Sequence, residues 1–413
     1  MSSFTKNKQY YKFCLYGFLK NLRFFDAFFI LFLLEKGLSY TQIGSLYAIR
    51  EIFINVFEIP SGIIADTYGR KNSLIASFIA YIISFAVFYF SDVFWMFLLA
   101  FILYGIGDAF RSGTHKGMIM DYLKFKDWED QKINYYGHTR SCSQKGSAIS
   151  SLLAGLIVFY SGSYQNIFLY SIIPYLLNLL LIISYPKELN HSVVAKSAKK
   201  KKRMGLTFTS FFQIIKQTSV LKIINTSAIF TAYLKAVKDY IQPLMVNIAL
   251  LIPILLAVEI EKKNGIIIGV IYFFIYLMTS QASRLSSKVL KKSRSNISQQ
   301  TLLIGLTFGL LCGIFYTYEL WGIAILAFVG IYIIENIRKP ILTGMLADNV
   351  PNEILTSVIS AQSLYRTIIT AILAVGFGLL ADGFGIGGAF IGVTSVLILV
   401  VMLLNIFERQ KRK

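Results

Sequence analysis

Acidic residues are scarce in this chain of 413 residues. It holds 21 Asp and Glu against 41 Lys and Arg, and only 15% of its residues are charged. A soluble protein of this length needs polar groups over most of its surface, so the composition excludes an ordinary soluble domain. Apolar residues make up 55% of the chain, and the mean hydropathy is +0.61. The sequence therefore predicts a protein that lies largely in lipid.

Cysteine, histidine and catalytic motifs are also scarce. Cys14, Cys142 and Cys312 lie far apart, inside or beside apolar runs, which predicts packing residues and no bound metal. No Walker-type loop, HExxH, CxxC or Ser-His-Asp arrangement occurs, so we predict neither an enzyme nor an ATP-driven pump, and no cofactor. Met1–Lys12 is polar and basic without a short apolar core, so the first span is expected to act as its own insertion signal.

Long apolar runs dominate what is present. Because runs such as 74–90 and 390–404 are continuously apolar rather than alternating, they favour helices over the strands of a β-barrel. Hydropathy and turn residues predict an all-α, polytopic membrane protein with twelve spans. These lie near 11–35, 41–65, 72–91, 93–121, 137–160, 164–185, 219–246, 264–284, 300–317, 320–346, 357–381 and 385–407.

The net charge of +20 is concentrated at the ends of these spans. The basic clusters are Arg70–Lys71, Ala198–Gly205, Ser287–Ser295 and Arg409–Lys413. Such positions are typical of cytoplasmic loops under the positive-inside rule, so the charge indicates no nucleic acid partner and places both termini in the cytoplasm. Anionic lipid headgroups are compatible partners for the same residues.

The middle of the chain separates two halves. We predict a six-helix half at 1–185, a basic cytoplasmic linker with an amphipathic helix at 186–218, and a second six-helix half at 219–413. Asn247–Lys263 is apolar but too short for an independent span, and Pro253 interrupts it. It either extends the seventh helix or lies along the outer interface, and we favour the interface.

The two halves contain an internal repeat. "RSGTHKGMIMD" begins at Arg111 and "RKPILTGMLAD" begins at Arg338, at an offset of 227 residues (338 − 111). Arg, Gly, Met and Asp coincide in the two segments, and an acidic residue, Asp108 or Glu335, stands three places before each Arg. Two duplicated six-span halves are typical of secondary transporters, whose binding site lies between the halves at mid-membrane.

A motif between the second and third spans points to a family. "GIIADTYGRK", residues 62–71, resembles the loop between spans two and three of the major facilitator superfamily: Gly, three residues, Asp, two residues, Gly, Arg, Lys. The matching residues are Gly62, Asp66, Gly69, Arg70 and Lys71. Because the span count, the linker and the repeat fit as well, the resemblance covers essentially the whole chain. "RSGTHKGMIMDYL" and "ILTSVISAQSLYRTI" are similar to segments of bacterial exporters in this superfamily.

The resemblance implies a conformational latch. In the family, the motif Asp and Arg form a charge relay with an acidic residue at the end of the fourth span, a place that Asp121 takes here. The Asp also meets the start of the eleventh span, here near Leu355–Ser357. We expect Gly62 to let another helix approach closely, and Gly69 to permit the reversal. The second-half counterpart, "SRLSSKVLKK", lacks the Asp and the second Gly, so the relay is expected to be one-sided.

Charges inside the spans are costly and therefore need partners or functions. They concentrate in spans one, four, seven and ten, which line the central cavity in the superfamily. The expected proton carriers are Asp26, Glu51, Asp108 and Glu335. The expected cavity residues are Arg23, Arg111, Lys235, Lys238, Asp239, Gln242 and Arg338. Pairing between helices is the structural alternative for each of them.

These observations predict a monomeric secondary transporter in the bacterial cytoplasmic membrane. The expected activity is proton-coupled efflux of a small organic molecule by alternating access, with the export direction taken from the resemblance. The first alternative is proton-coupled uptake of a polar or anionic nutrient. A non-transporting membrane sensor of the same fold is an alternative of a different class.

Overall fold

The described part of the chain is built from helices joined by short turns. The computed structural model describes residues 6–128, 131–190, 218–251, 259–292 and 296–410, without the side chains at 66, 132–134, 136, 218–219, 280, 283–292, 347, 352–357 and 405–410. Its helices are α1 (Lys8–Lys20), α2 (Phe29–Glu35), α3 (Tyr40–Tyr68), α4 (Arg70–Phe90), α5 (Phe94–Arg111), α6 (Thr114–Phe125), α7 (Lys132–Ser161), α8 (Asn166–Ile183), α9 (Thr218–Val237), α10 (Ile241–Leu251), α11 (Ile260–Lys292), α12 (Ile297–Thr317), α13 (Trp321–Asn349) and α14 (Asn352–Gln410).

Nine segments in the described residues are long and apolar enough to cross a membrane. The longest, Val358–Leu404, has 47 residues, about twice what a bilayer core requires. It lies in α14 and bends at Gly385, whose backbone (φ 71°, ψ 172°) is not helical. One continuous element therefore holds both the eleventh and the twelfth predicted spans. The prediction of an all-α, polytopic membrane fold is confirmed.

Three of the predicted spans are interrupted where they carry charge. Span one breaks between α1 and α2, at the 3₁₀ turn Phe24–Ala27, and span four breaks between α5 and α6. The second break lies at Gly113. Its backbone φ is 73°, a value that residues other than glycine rarely adopt. Span seven breaks at a further 3₁₀ turn, Lys238–Tyr240. These spans are therefore discontinuous helices, in contrast to the continuous helices expected from hydropathy.

The segment 247–263 is only partly described. Residues 247–251 continue α10, so this part extends the helix of the seventh span and does not form the separate interfacial segment that we favoured. Residues 260–263 open α11, while 252–258 lie outside the described residues. The basic linker also falls almost entirely outside, at 191–217, so the predicted domain boundaries stay predictions.

The chain forms two compact units. The first comprises Met1–Phe32, Ile49–Ala198 and Pro253–Tyr276, and the second comprises Leu33–Ala48, Lys199–Ile252 and Leu277–Lys413.

In the first unit, a line of serines joins α4 to α5. The hydroxyls of Ser73, Ser77 and Ser84 donate to the backbone carbonyls of Phe110, Gly107 and Ala100, at 3.2, 2.6 and 2.8 Å. All three serines are almost fully buried. Small side chains let helices approach closely in lipid, and interhelical hydrogen bonds then add to the packing. This serine seam fixes the register of α4 against α5, which carry Tyr81 and Asp108.

In the second unit, the start of α3 packs on α14. Asp382 accepts hydrogen bonds from the backbone N–H groups of Tyr40 and Thr41, at 2.9 and 2.8 Å, and so caps the helix with a carboxylate. A Cβ atom on Gly378 would lie 2.8 Å from the carbonyl carbon of Tyr40, so the two backbones are in contact there. Because glycine has no side chain, α3 and α14 can approach each other this closely.

Candidate functional site

The motif at 62–71 forms the turn between α3 and α4 and carries an ion pair. Gly69 has a φ of 101° and directly precedes α4, which begins at Arg70. The Arg70 guanidinium lies 3.0 Å from the Asp121 carboxylate of α6, and both side chains are largely buried. Two residues of the predicted latch, 51 positions apart (121 − 70), are therefore in contact.

Gly117 makes room for this pair. It lies one turn before Asp121 on α6, and a Cβ atom there would overlap the Arg70 guanidinium, 2.8 Å from its Cζ. Gly344, its counterpart in the repeat, faces open space within the described residues. The structure thus gives the glycine of the first repeat copy a specific role, which is to accommodate the arginine.

The other latch residues have separate environments. Lys71 donates to the carbonyls of Ile183 and Tyr185, both at 2.7 Å, and so binds the C-terminal end of α8. Gly62 is exposed and has no described neighbour near its missing Cβ, so the close helix approach expected there is not observed. The backbone of Asp66 lies in the last two turns of α3, and its side chain lies outside the described set.

Asp108 and Arg111 form a second ion pair with a tyrosine. Arg111 Nη2 lies 2.6 Å from Asp108 Oδ1, and Arg111 Nε donates to the Tyr81 hydroxyl at 3.0 Å. The Tyr81 hydroxyl in turn donates to Asp108. About a quarter of each charged side chain is accessible. The two charges therefore neutralise each other, and Tyr81 of α4 holds the pair in place. One side of the pair stays accessible.

That open side borders a basic cavity of about 300 Å³, which lies within the first unit between α1, the α5–α6 break and α7. Its lining residues are Phe13, Tyr16, Gly17, Lys20, Arg111, Gly113, His115, Lys116, Ile119, Thr139, Arg140 and Ser143. Four of them are cationic and none is acidic. A surface lined by cations in this way attracts a negatively charged group.

Aromatic rings form one wall of this basic cavity. The rings of Tyr16 and His115 stack at 3.6 Å with an angle of 9° between their planes. Tyr16 is only 3% exposed, and its hydroxyl has no hydrogen-bond partner among the described residues. A buried hydroxyl without a partner costs free energy. His115 lines the cavity as part of this wall.

The other charged candidates of the first unit pair locally. Arg23 and Asp26 are 3.0 Å apart in the break between α1 and α2, beside a small polar pocket. Arg50 and Glu51 are 3.5 Å apart on α3, and Glu51 is only 4% exposed. Both pairs fit the structural alternative of charge neutralisation.

In the second unit, Glu335 and Arg338 have different partners although they are one turn apart on α13. Glu335 is 7% exposed and accepts a hydrogen bond from the Thr231 hydroxyl at 2.6 Å. Arg338 is 1% exposed and donates to three neutral oxygens, which are the carbonyls of Thr226 and Ser298 and the hydroxyl of Thr301. The ring of Phe230 lies 5.1 Å from its guanidinium carbon. Arg338 therefore stabilises the packing of α9, α12 and α13.

The remaining candidates surround the break between α9 and α10. Lys238 and Asp239 are 2.9 Å apart in the 3₁₀ turn, whose Lys238 carbonyl accepts a hydrogen bond from Tyr332. Gln242 is fully buried in the first turn of α10, and Lys235 is half-buried near the end of α9. These four residues lie close along the chain and are held partly by α13.

Sequence reasoning missed several residues of these clusters. Tyr81 and Thr231 are neutral residues in apolar runs, and their partners lie on other helices, so no local pattern marked them. Tyr16 and Arg140 lie near span ends, where such residues usually indicate an interface. Within the described ranges, no group of three or more His, Cys, Asp or Glu could hold a metal ion.

The sequence matches the family model of the Major Facilitator Superfamily over residues 15–375. It is 25% identical over 403 residues to the MFS-type transporter YxaM of Bacillus subtilis (strain 168), an alignment that covers 94% of this chain and 92% of the relative. The fold is similar to that of a bacterial homologue of the human lysosomal transporter Spinster (TM-score 0.73, 14% identity, 98% of each chain). It is also similar to that of the nucleoside transporter NupG (TM-score 0.72, 12% identity, 96% of each chain). The family match spans most of the chain and agrees with the all-helical fold, so the protein belongs to the Major Facilitator Superfamily and is a transporter.

Proposed function

We propose that this transporter exports a small organic molecule from a bacterial cell in exchange for protons, by alternating access. It works as a monomer in the cytoplasmic membrane with both termini in the cytoplasm. The observation that carries the proton coupling is the environment of Glu335, a buried carboxyl group whose hydrogen-bond partner is a neutral hydroxyl.

A proton carrier must exist in both protonation states during the cycle. A carboxyl group bonded to a hydroxyl can do so, because the hydroxyl can donate to the charged form and can accept from the protonated form. The charged groups around Glu335 are Arg338 and Lys339 on its own helix and Arg366 on α14. Arg338 is occupied by three neutral oxygens, so among the described residues no direct ion pair fixes the negative charge of Glu335.

The other three proposed carriers differ from Glu335 in this respect. Asp26, Glu51 and Asp108 each have an arginine partner, at 3.0, 3.5 and 2.6 Å. A guanidinium at such a distance favours the charged carboxylate. They can take part in coupling only when their ion pairs open, so Glu335 is the principal candidate and Asp108 is the second.

Candidate cargo contacts are proposed for each unit by itself: the residues around Arg111 in the first unit, and Lys238, Asp239 and Gln242 in the second. The Arg70–Asp121 contact, with Gly62, Asp66, Gly69 and Lys71 in and beside the turn, is proposed to form and break as access alternates. Export is supported by the resemblance of the segments after Arg111 and Ile354 to bacterial exporters. Uptake of an anionic nutrient is a second candidate function, which the cationic lining of the basic cavity favours.

Transport by purified protein in proteoliposomes tests this function, with a panel of organic anions and cationic drugs. Exchange with protons predicts accumulation when the lumen is acidic, whereas uptake with protons predicts accumulation when the exterior is acidic. We expect Glu335→Gln to abolish accumulation driven by the pH gradient while exchange of labelled for unlabelled compound continues. The matched control is Glu319→Gln, because Glu319 is exposed on the same unit.

Two outcomes would contradict the proposal. Proton coupling would be excluded if the flux were independent of the pH gradient and persisted after amide substitutions at Asp26, Glu51, Asp108 and Glu335. A folded protein that moves no compound of the panel under either gradient would favour the sensor alternative.

A further inference from the structure

We infer that the basic cavity binds an oxyanion group of the cargo, which makes the transported molecule a small organic anion. This inference rests on the proposed function, since it takes the cavity as a place where the cargo binds. It adds the chemical class of the cargo and the residues that recognise it.

The first argument is the charge balance of the cavity. Lys20, Arg111, Lys116 and Arg140 line it, and none of its lining residues is acidic. Two carboxylates of neighbouring elements have arginine partners, because Asp108 is bonded to Arg111 and Asp26 to Arg23. A surface lined by these cations and by no carboxylate has a positive potential, which attracts an oxyanion.

The second argument is the arrangement of hydrogen-bond donors. Arg111 uses Nε and Nη2 for Tyr81 and Asp108, and its Nη1 makes no hydrogen bond within the described residues. The buried hydroxyl of Tyr16 has no described partner either. Arg111 is therefore a donor that other contacts hold in place and that keeps one N–H group for the cavity, an arrangement suited to the oxygens of a phosphate or carboxylate.

The third argument is the backbone at the α5–α6 break. Gly113 lines the cavity as the N-cap residue of α6, which has 12 residues, and no side chain caps that helix. The first N–H groups of a helix favour negative charge, since they are unpaired and lie at the positive end of the helix dipole. The N-terminus of α6 is therefore a third feature that favours an anion, beside the four cations and the Tyr16 hydroxyl.

Thermal unfolding of the purified protein in phosphatidylcholine nanodiscs tests the inference. The probes are inorganic phosphate and citrate, with chloride at matched ionic strength as the reference for general salt effects. We expect at least one probe to raise the unfolding temperature in a saturable manner. Lys20→Gln and Arg140→Gln should each weaken its apparent affinity by about tenfold. The control Lys124→Gln removes an equal charge from an exposed position on α6 and should leave the affinity within about twofold.

Tyr16→Phe separates ligand recognition from stability. Because the substitution removes a buried hydroxyl without a partner, the unliganded protein should be as stable as the wild type or more stable. The affinity for the probe should nevertheless fall several-fold. Loss of stability without loss of affinity would assign Tyr16 to packing alone and would contradict its place in the site.

Three results would overturn the inference. One is that neither probe binds the folded wild-type protein, and another is that Lys124→Gln weakens binding as much as Arg140→Gln does. The third is stabilisation that requires phosphatidylglycerol in the nanodisc and is not competed by soluble anions, because it would identify a lipid headgroup as the ligand. Binding is measured without a pH gradient, so failure of the proton coupling leaves this test intact. If the cargo were cationic, the protein would still transport it but would bind neither phosphate nor citrate.

Discussion

Gly117 and Gly344 occupy equivalent positions of the internal repeat, but they face different surroundings. Gly117 lies against the Arg70 guanidinium, whereas Gly344 faces open space among the described residues. The sequence gives a reason for the difference, because the second half lacks the Asp and the second Gly of the motif at 62–71. The same short sequence pattern therefore accommodates an arginine in one half and has no such contact in the other.

This difference predicts unequal effects of one substitution. Gly117→Val should displace the Arg70 side chain, break its contact with Asp121 and destabilise the protein by about 1–3 kcal/mol. Gly344→Val, the matched control, should change stability by less than about 0.5 kcal/mol. The unfolding temperature of the two variants measures the difference, and transport by Gly117→Val should be impaired as well.

A double-mutant cycle checks the mechanism. If Gly117→Val acts through the ion pair, Asp121→Asn should cause a similar loss, and the combined variant should lose less than the sum of the two. Strictly additive losses would show that Gly117 acts through other contacts.

Charged residues inside apolar runs could be placed from the sequence, whereas their neutral partners on other helices could not. Asp108, Arg111 and Glu335 stand out because a charge inside an apolar run is costly. Their partners Tyr81 and Thr231 carry no such signal, because a Thr hydroxyl in a helix is usually bonded to its own backbone and a Tyr in a span usually indicates packing or an interface. The partners depend on which helices are neighbours, and that information is absent from local patterns.

At the scale of elements, the start of α3 depends on a residue more than 300 positions away. Asp382 of α14 caps its first N–H groups, although it lies close to the bend at Gly385. The predicted spans 357–381 and 385–407 leave residues 382–384 as a short connection between two helices. The structure instead assigns Asp382 to the stabilisation of another helix.

Removing this cap should weaken the packing of α3 on α14. Asp382→Ala should destabilise the protein by about 1–2 kcal/mol, since two backbone donors lose their acceptor. Asp348→Ala is the control, because Asp348 is an exposed carboxylate of the same unit. Chemical or thermal unfolding measures both, and equal stability of the two variants would refute the role of the cap.

At the scale of the whole molecule, the order and approximate position of the spans could be predicted, whereas their interruptions could not. Hydropathy averages over about 19 residues, so it does not resolve a break of two or three residues. The breaks lie at Phe24–Ala27, at Gly113 and at Lys238–Tyr240, and each is only a few residues long. All three coincide with candidate site residues, as is typical of the discontinuous helices of transporters.

The orientation of the molecule in the membrane is testable by cysteine labelling. In a variant with Cys14, Cys142 and Cys312 replaced by serine, Tyr318→Cys should react with a membrane-impermeant maleimide in intact cells. Lys126→Cys should react only after the cells are opened, because the basic loops are expected in the cytoplasm. Labelling of Lys126→Cys in intact cells would show that the topology is the opposite of the one proposed.

The serine seam between α4 and α5 also bears on how the protein is made. Its donors and acceptors lie between positions 73 and 110, on two helices that follow each other along the chain. They can therefore pair as soon as the second of these helices enters the bilayer, while the rest of the polypeptide is still being synthesised. A hairpin assembled this early would offer a preformed surface to the segments that leave the ribosome later.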